Sequence, residues 1–325
     1  MKVSVVIPVY KVEHFIVKCA RSLFAQTLED VEFIFVDDAS PDRSMDLLKE
    51  CIQKYPKRKG QIKILTHANN KGWPAARNTG LSVATGEYVF HGDSDDFIDK
   101  DMLETLYYTV KEQKADIVWC DWYLSFEKNE RYMKQPEYST SLEALKGMLS
   151  GVMKFTVWNK LVKRSLYVDN HIEFPNGYGM GEDMTMMMLF SCADKVAYLP
   201  RAFYHYVKLN TDAFTQTFSK RHLIDLKYNV QRIEDYMHSK YGVSLDKEIA
   251  FLKLDVKLPF LISDSSAKYR VWKELYPEAN RYIGKNNLIS FRARFIQWCA
   301  WKGWFVIVRM HYVLLHKFIY GLIYR

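Results

Sequence analysis

The sequence predicts an α/β fold, a mostly parallel sheet flanked by helices, followed by a helical C-terminal region. Short β-branched and aromatic runs alternate with amphipathic helical segments as far as His91, the pattern of successive βα units. Beyond about residue 216 only helical periodicity remains. With 325 residues, 49% hydrophobic and 26% charged, the chain can fill more than one lobe with core, and it is neither disordered, collagenous nor coiled coil.

Val3 to Val9 reads as a buried strand, and Val12, Phe15, Ile16, Cys19 and Leu23 then recur at helical spacing. Val31 to Val36 is a second strand, ending in Asp37-Asp38. Ser40 and Pro41 are expected as N-cap and first residue of the next helix, whose inner face is Leu47, Leu48, Cys51, Ile52 and Tyr55. Ile62 to Leu65 is a third strand and Ala75 to Ala84 a helix stopped by Gly86. Glu87 to His91 is a fourth strand, running into Gly92-Asp93-Ser94-Asp95-Asp96. Past Asp99 the alternation loosens. A helix through Met102, Leu106 and Val110 leads to a strand from Ile117 to Cys120, a polar stretch near residues 125–140 and a helix near 141–150. A Gly-rich loop from Asn176 to Gly181, expected to be mobile, precedes a Met-rich helix from Asp183 to Cys192 in which Met184, Met187 and Met188 form a packing stripe.

The charge is unevenly placed. Forty-six basic residues face 38 acidic ones, a net +8. From Ala279 onward there is no Asp or Glu, only Arg281, Lys285, Arg292, Arg294, Lys302, Arg309, Lys317 and Arg325. Residues 1–278 are therefore formally neutral, and an anionic partner should meet the tail. Five scattered cysteines without a CxxC pair argue against a disulfide framework and a structural zinc site, and fit a reducing cytosol. The start, with Pro8 interrupting a short apolar run, does not read as a signal peptide, and no stretch reaches the length of a spanning helix. The chain is expected to be soluble or to lie on a membrane.

In an open parallel sheet, ligands bind beyond the carboxyl ends of the strands, and acids gather there: Asp37 and Asp38 after the second strand, Asp93, Asp95 and Asp96 after the fourth. Such clustering is costly unless a cation or hydrogen-bond donors offset it. Oxygen-only ligands suit Mg²⁺ or Mn²⁺ and point to a phosphate-bearing substrate. The plainer reading is that one of these acids caps the helix beginning near Lys100.

Taken together, Val3-Ser4-Val5-Val6-Ile7-Pro8-Val9-Tyr10, Phe35-Val36-Asp37-Asp38-Ala39-Ser40-Pro41-Asp42, Gly72 with Ala76-Arg77-Asn78-Thr79-Gly80, Gly86-Glu87-Tyr88-Val89 and Asp93-Ser94-Asp95-Asp96 resemble glycosyltransferase family 2. Weaker matches run through Trp158-Asn159-Lys160-Leu161 and Gly181-Glu182-Asp183 to Tyr204-His205-Tyr206. The resemblance implies a GT-A fold and inverting transfer from a nucleotide sugar. It implies that Pro8, Val9 and Tyr10 border the base and that Asp38 accepts from the uracil N3–H. Lys11 stands where the family usually has Asn, and could add a phosphate contact. Arg77 is expected near the donor phosphates or supporting the aspartates. Asp93-Ser94-Asp95 matches the metal-binding DxD at the donor site, with Asp95 the nearer ligand and Asp93 its companion. Asp96 would contact the sugar or, by preference, cap the next helix. Asp183 is implied as general base toward the acceptor hydroxyl, with Glu182 orienting it. Trp158-Asn159-Lys160 could line the acceptor cleft, although Trp158 alone reads as core, and the resemblance implies that His205 could touch the diphosphate, although by itself it reads as a satisfied structural residue.

The resemblance implies three regions: 1–99 for the nucleotide sugar, 100–215 for the acceptor and catalysis, and 216–325 as a helical region with the basic aromatic tail. The implied reaction takes a UDP-sugar to a hydroxyl of a glycan or lipid-linked acceptor. A helix over the tail would carry Phe291, Phe295, Trp298, Trp301, Phe305, Val308, Tyr312, Leu315, Ile319 and Leu322 as one long apolar stripe flanked by cations. That pattern suits an anionic membrane surface through residues 291–325, on the cytoplasmic inner face of the cell membrane. The stripe could instead dock on the catalytic domain or pair subunits into a homo-oligomer. No nucleic-acid motif accompanies the charge. A nucleotidyltransferase-like enzyme and an inactive GT-A membrane scaffold are the alternatives. A P-loop enzyme and a Rossmann dehydrogenase are excluded, since neither glycine motif is present.

Overall fold

The computed structural model describes residues 1–208 and 219–315. The chain forms two compact units, one of residues 1–144 and 155–229, the other of residues 145–154 and 230–325.

The first unit is built on one sheet. β1 (Val3–Val9) is entirely buried and lies between β2 (Val31–Asp37) and β4 (Tyr88–His91), parallel to both, and β3 (Ile62–Thr66) pairs parallel with β2. The connecting helices are α1 (Ile16–Phe24), α2 (Ser44–Gln53) and α3 (Trp73–Ser82). After β5 (Phe97–Ile98) and α4 (Met102–Gln113) come β6 (Ile117–Ser125), β7 (Glu130–Met133), α5 (Ser141–Leu149), β8 (Lys160–Lys163), α6 (Arg164–Asp169), α7 (Thr185–Cys192) and β9 (Val196–Val207). The sheet order is β3-β2-β1-β4-β8-β6-β9-β5, with β7 on β6. The first four strands are parallel as expected. Beyond β4 the sheet is mixed: β8 runs antiparallel to β4 and β6, while β9 is parallel to β6 and antiparallel to β5.

Two sequence expectations need correction. Ser40 and Pro41 do not open α2, which begins at Ser44. Ser40 instead spends its hydroxyl on Lys11 N (2.8 Å) and Asp42 Oδ1 (2.6 Å), and Asp42 accepts from Ser44 N. Nor do the acids after β4 cap α4, whose N-cap position, Asp101, makes no side-chain cap. Asp96 is 2% exposed and receives Tyr204 Oη and Val207 N, each at 2.7 Å, so it ties the β4 tip to β9.

The second unit is helical among the described residues. α8 (Lys220–Tyr241) contributes to both units, followed by α9 (Asp246–Lys257), α10 (Ser266–Glu274), α11 (Phe291–Trp301) and α12 (Phe305–Tyr312). Lys257 is fully buried. Its ammonium donates to Leu275 O, Tyr276 O and Asn280 Oδ1 and lies over the Trp272 ring, while desolvation lowers its pKa to about 8. The expected continuous tail helix is broken: Gly303, at φ +80°, turns the chain between α11 and α12. Ile319, Leu322, Lys317 and Arg325 lie outside the described residues. No described helix is long and apolar enough to cross a membrane, and all five cysteines are free.

Candidate active site

The strand order reverses between β1 and β4, so the crevice beyond their carboxyl ends is where an open α/β sheet receives a ligand. Pro8, Val9 and Tyr10 stand at the end of β1, with Tyr10 39% exposed. Asp93, Ser94 and Asp95 follow β4, with Ser94 buried and the two acids part-exposed.

One helix, α3, organises the surrounding polar groups. At its N-terminus, Lys71 N donates to Asp38 Oδ1 and Gly72 N to Asp38 Oδ2, both at 2.8 Å, and His67 Nδ1 lies 2.7 Å from Oδ1. Gly72 sits at φ +84°, a conformation open to glycine at little cost. Asp38 is 2% exposed, so before any ligand arrives its carboxylate already orders residues 67–72; of its lone pairs, one on Oδ2 remains. On the first turn of α3, Trp73 Nε1 donates to Glu182 Oε1 at 2.5 Å. One turn on, Arg77 Nη2 donates to Asp93 Oδ1 at 2.7 Å. Asn78 then exchanges bonds with Phe174 backbone, accepting from its N and donating to its O, both at 2.8 Å. Gly80 lets the helix lie on β1: a Cβ there would come within 2.4 Å of Val6 Cγ1.

Arg77 is 2% exposed, and its Nε and Nη1 have no partner. Burial opposes its charge, but Asp93 and then Asp183 outweigh that and hold the guanidinium protonated. The adjacent His91 ring, edge-on to Tyr167 and Phe174, is kept neutral by burial and by Arg77.

Glu182 and Asp183 share a 3₁₀ turn, Glu182–Met184, ahead of α7. Burial and then the Asp183 charge push Glu182 well above the carboxylate range, against the pull of Arg77 and the Trp73 bond. Burial also raises Asp183, but Arg77 and Lys160 partly offset it, leaving about 6. Both carboxyls are pushed up, Glu182 further than Asp183, so Asp183 is the one of the pair that ionises more readily. Asp183 Oδ2 accepts from Val157 N at 3.3 Å, whereas Oδ1 is buried without a partner. Lys160, 1% exposed, bonds to Thr156 O and Asn159 Oδ1 and is lowered by desolvation to about 7.

The site residues read from sequence thus converge through α3 for Asp38, Arg77, Asp93, Glu182 and Asp183. Trp73 was missed as a site residue; its only sequence signal was a Trp between Gly72 and Pro74 at a helix start, whereas Lys160 belongs to a stretch that by sequence could line the acceptor cleft. His205 is structural, bonded to Glu130 and Asp99 and stacked between Phe97 and Tyr123. Trp158 is core, stacked on Tyr204 and Tyr206. The Gly-rich loop expected to be mobile is held: Tyr178 stacks on Tyr228 at 3.6 Å, Gly179 N donates to Asp225, and Asn229 Nδ2 donates to Tyr178 O and Met180 O.

Among the described residues, no group of three or more His, Cys, Asp or Glu side chains forms a ready-made metal site. Asp93 and Asp95 nonetheless fit a hard divalent ion, because Mg²⁺-type sites commonly use one or two carboxylates, waters and substrate phosphates in place of a protein cage.

The sequence profile of glycosyl transferase family 2 matches residues 4–180. The chain is 28% identical over 278 residues to the uncharacterized glycosyltransferase EpsJ of Bacillus subtilis, covering 82% of this chain and 78% of that one. It is 30% identical over 216 residues to glycosyltransferase GlyG of Streptococcus pneumoniae serotype 4, covering 63% and 70%. Among solved structures, Staphylococcus aureus TarS 1-349 in complex with UDP-GlcNAc superposes with a TM-score of 0.66 at 19% identity, over 98% of this chain and 92% of that one, a likeness of fold.

Proposed function

The chain belongs to glycosyl transferase family 2 and is a GT-A fold glycosyltransferase, and from that premise we propose that it moves a sugar from a UDP-sugar to an acceptor hydroxyl with inversion, in polysaccharide or glycolipid synthesis. The observation that carries the reading is that one helix, α3, holds Asp38 at its N-terminus, Glu182 through Trp73 and Asp93 through Arg77, which gathers the strand-tip acids around the Glu182-Asp183 pair.

Pro8, Val9 and Tyr10 border the base, and the lone pair left on Asp38 Oδ2 accepts from uracil N3–H. Asp95, with Asp93, would hold Mg²⁺ or Mn²⁺, whose charge would stabilise the departing diphosphate; Ser94 lies between them in the same turn. Arg77 fixes the Asp93 carboxylate and adds positive charge behind it. Asp183 takes the acceptor's hydroxyl proton, and the freed oxygen pair attacks the anomeric carbon. The bond from that carbon to the diphosphate oxygen breaks with its electrons leaving on UDP. Neutral Glu182 adds no repulsion to the carboxylate beside it. Glycan assembly also matches the basic, aromatic tail: residues 291–325 would rest on anionic lipid at the cytoplasmic face of the cell membrane, near a lipid-linked acceptor.

Asp183→Asn should abolish UDP release from a donor and acceptor panel while leaving UDP affinity within about twofold, since only proton removal is lost. Asp95→Ala should remove the Mn²⁺ dependence of UDP binding measured by calorimetry. Full turnover in the first variant, or identical calorimetry in the second, would reject the respective role.

A further inference from the structure

Asp183 has few bonds of its own. Its Oδ2 accepts only a long bond, 3.3 Å, from Val157 N, and its Oδ1 has no partner, so the backbone that carries it decides where it stands. That backbone is the 3₁₀ turn Glu182–Met184, fed by the loop of residues 177–181, and α8 holds the loop from one side. Two buried side chains of α8 do so, Asp225 and Asn229, 3% and 0% exposed. Four residues apart, they share one face of the helix.

Asn229 Nδ2 donates to Met180 O at 3.0 Å and to Tyr178 O at 3.2 Å, besides Asp225 O one turn back. Three carbonyls around this nitrogen fix which way the amide points. Its Oδ1 is buried without a partner, which is costly. An apolar side chain here would avoid that cost and would leave the loop carbonyls without this donor. Asp225 reaches the turn through a single residue: its Oδ2 accepts from Gly179 N at 3.1 Å, and Gly179 O accepts from Glu182 N at 3.4 Å. Arg221 backs this arrangement, with Nε 2.9 Å from Asp225 Oδ1 and Nη2 donating to Gly177 O. Where the loop meets the turn, Gly181 takes φ +91°, and a Cβ there would touch Asn229 Cβ and Leu226 Cδ1, each at 3.5 Å. The chain thus passes against α8 immediately before the acidic pair.

We propose that Asn229 and Asp225, the latter backed by Arg221, are positioning residues that set the place of the Glu182-Asp183 turn through the backbone of residues 177–180. The catalytic consequence rests on the reading of Asp183 as base; the seat itself stands on the hydrogen bonds of α8.

The test uses the full chain with Asn229→Leu and, at an exposed position, Arg221→Met. Calorimetry gives UDP affinity, UDP release gives kcat and its pH profile, and hydrogen exchange is followed in the peptide covering residues 176–184. Asn229→Leu should lower kcat at least about tenfold and leave UDP affinity within about twofold, since a reacting group displaced by about 1 Å can lose far more than it does in binding. Exchange across 176–184 should rise. Glu182, Arg77, Asp93 and Lys160 are the charged or titratable groups that act on Asp183, and none of them is altered. Water admitted by a loosened turn should therefore move the acid limb down from about 6 toward the ordinary carboxylate range. A smaller folded fraction would lower the rate without moving that limb. Arg221→Met should show the same changes to a lesser degree, and it carries the test should Asn229→Leu fail to fold. An unchanged kcat and acid limb in Asn229→Leu or, where that variant does not fold, in Arg221→Met would overturn the positioning role whatever the exchange. Should Asp183→Asn keep full turnover, the base reading falls alone; a lowered kcat with raised exchange in the α8 variants then still upholds the seat, and their absence overturns it.

Discussion

The base role proposed for Asp183 depends on its surroundings. A carboxyl in water is ionised well below neutrality, but desolvation raises this one to about 6 against the pull of Arg77 and Lys160. Because the pKa is raised, the competent carboxylate is lost as pH falls through about 6 and fully present above it. The kcat/KM profile should therefore rise tenfold per pH unit below that value and level off above it, a limb that Asp183→Asn would erase along with the activity. In the proposed mechanism Trp73 would act at one remove, through its bond to Glu182. Trp73→Phe keeps the aromatic packing and removes the donor, and should lower kcat about tenfold, about 1.4 kcal/mol, with UDP affinity by calorimetry unchanged. An unaltered kcat would show that Glu182 needs no such anchor. The acids were legible because Asp repeats at strand tips are conspicuous; Trp73 was not, because a lone Trp reads equally well as core.

At the scale of elements, α3 matters more than its modest apolar face suggests. Its contacts to Asp38, Glu182, Asp93 and Phe174 all depend on its height above β1, which Gly80 sets. Gly80→Ala would push a methyl into Val6 and should destabilise the fold by about 1–3 kcal/mol in urea unfolding, with a larger proportional loss of turnover because every α3 contact shifts together. A stability equal to wild type would mean that Val6 yields without moving the helix. The first βα units were readable from sequence, since β1, β2 and β4 are short, mainly apolar runs bounded by turn residues. β9 was not. Pro200 and Arg201 interrupt it, its pairing with β6 shifts register around Asp121, and its aromatic residues point to partners far away in sequence. The tail misled in a different way: its apolar spacing continues across Lys302 and Gly303, while the positive φ at Gly303 ends the helix there.

Over the whole molecule, residues 1–278 are formally neutral and the tail carries the entire positive excess, which is the basis of the proposed membrane contact. Phe291, Trp301, Trp304 and Met310 are 74%, 47%, 49% and 66% exposed, whereas Ile296, Cys299 and Ala300 of the same segment are buried. Deleting the tail would thus remove core as well as surface, so point substitutions are the cleaner probe. Trp301→Ser with Trp304→Ser should weaken flotation with phosphatidylglycerol liposomes at least tenfold, while wild type should float poorly with phosphatidylcholine, since each basic residue near an anionic surface contributes about 1 kcal/mol. Equal flotation of variant and wild type would discard the membrane contact.

Local pattern was enough for the early strands, the acidic tips and the one-signed tail, because hydrophobic period and charge are properties of neighbours in the chain. Only packing decided which carboxyl keeps its proton, which acids bond to the chain itself and which glycine positions a helix. Charge coupling acts between groups as far apart in sequence as Arg77 and Asp183, and no local window contains both.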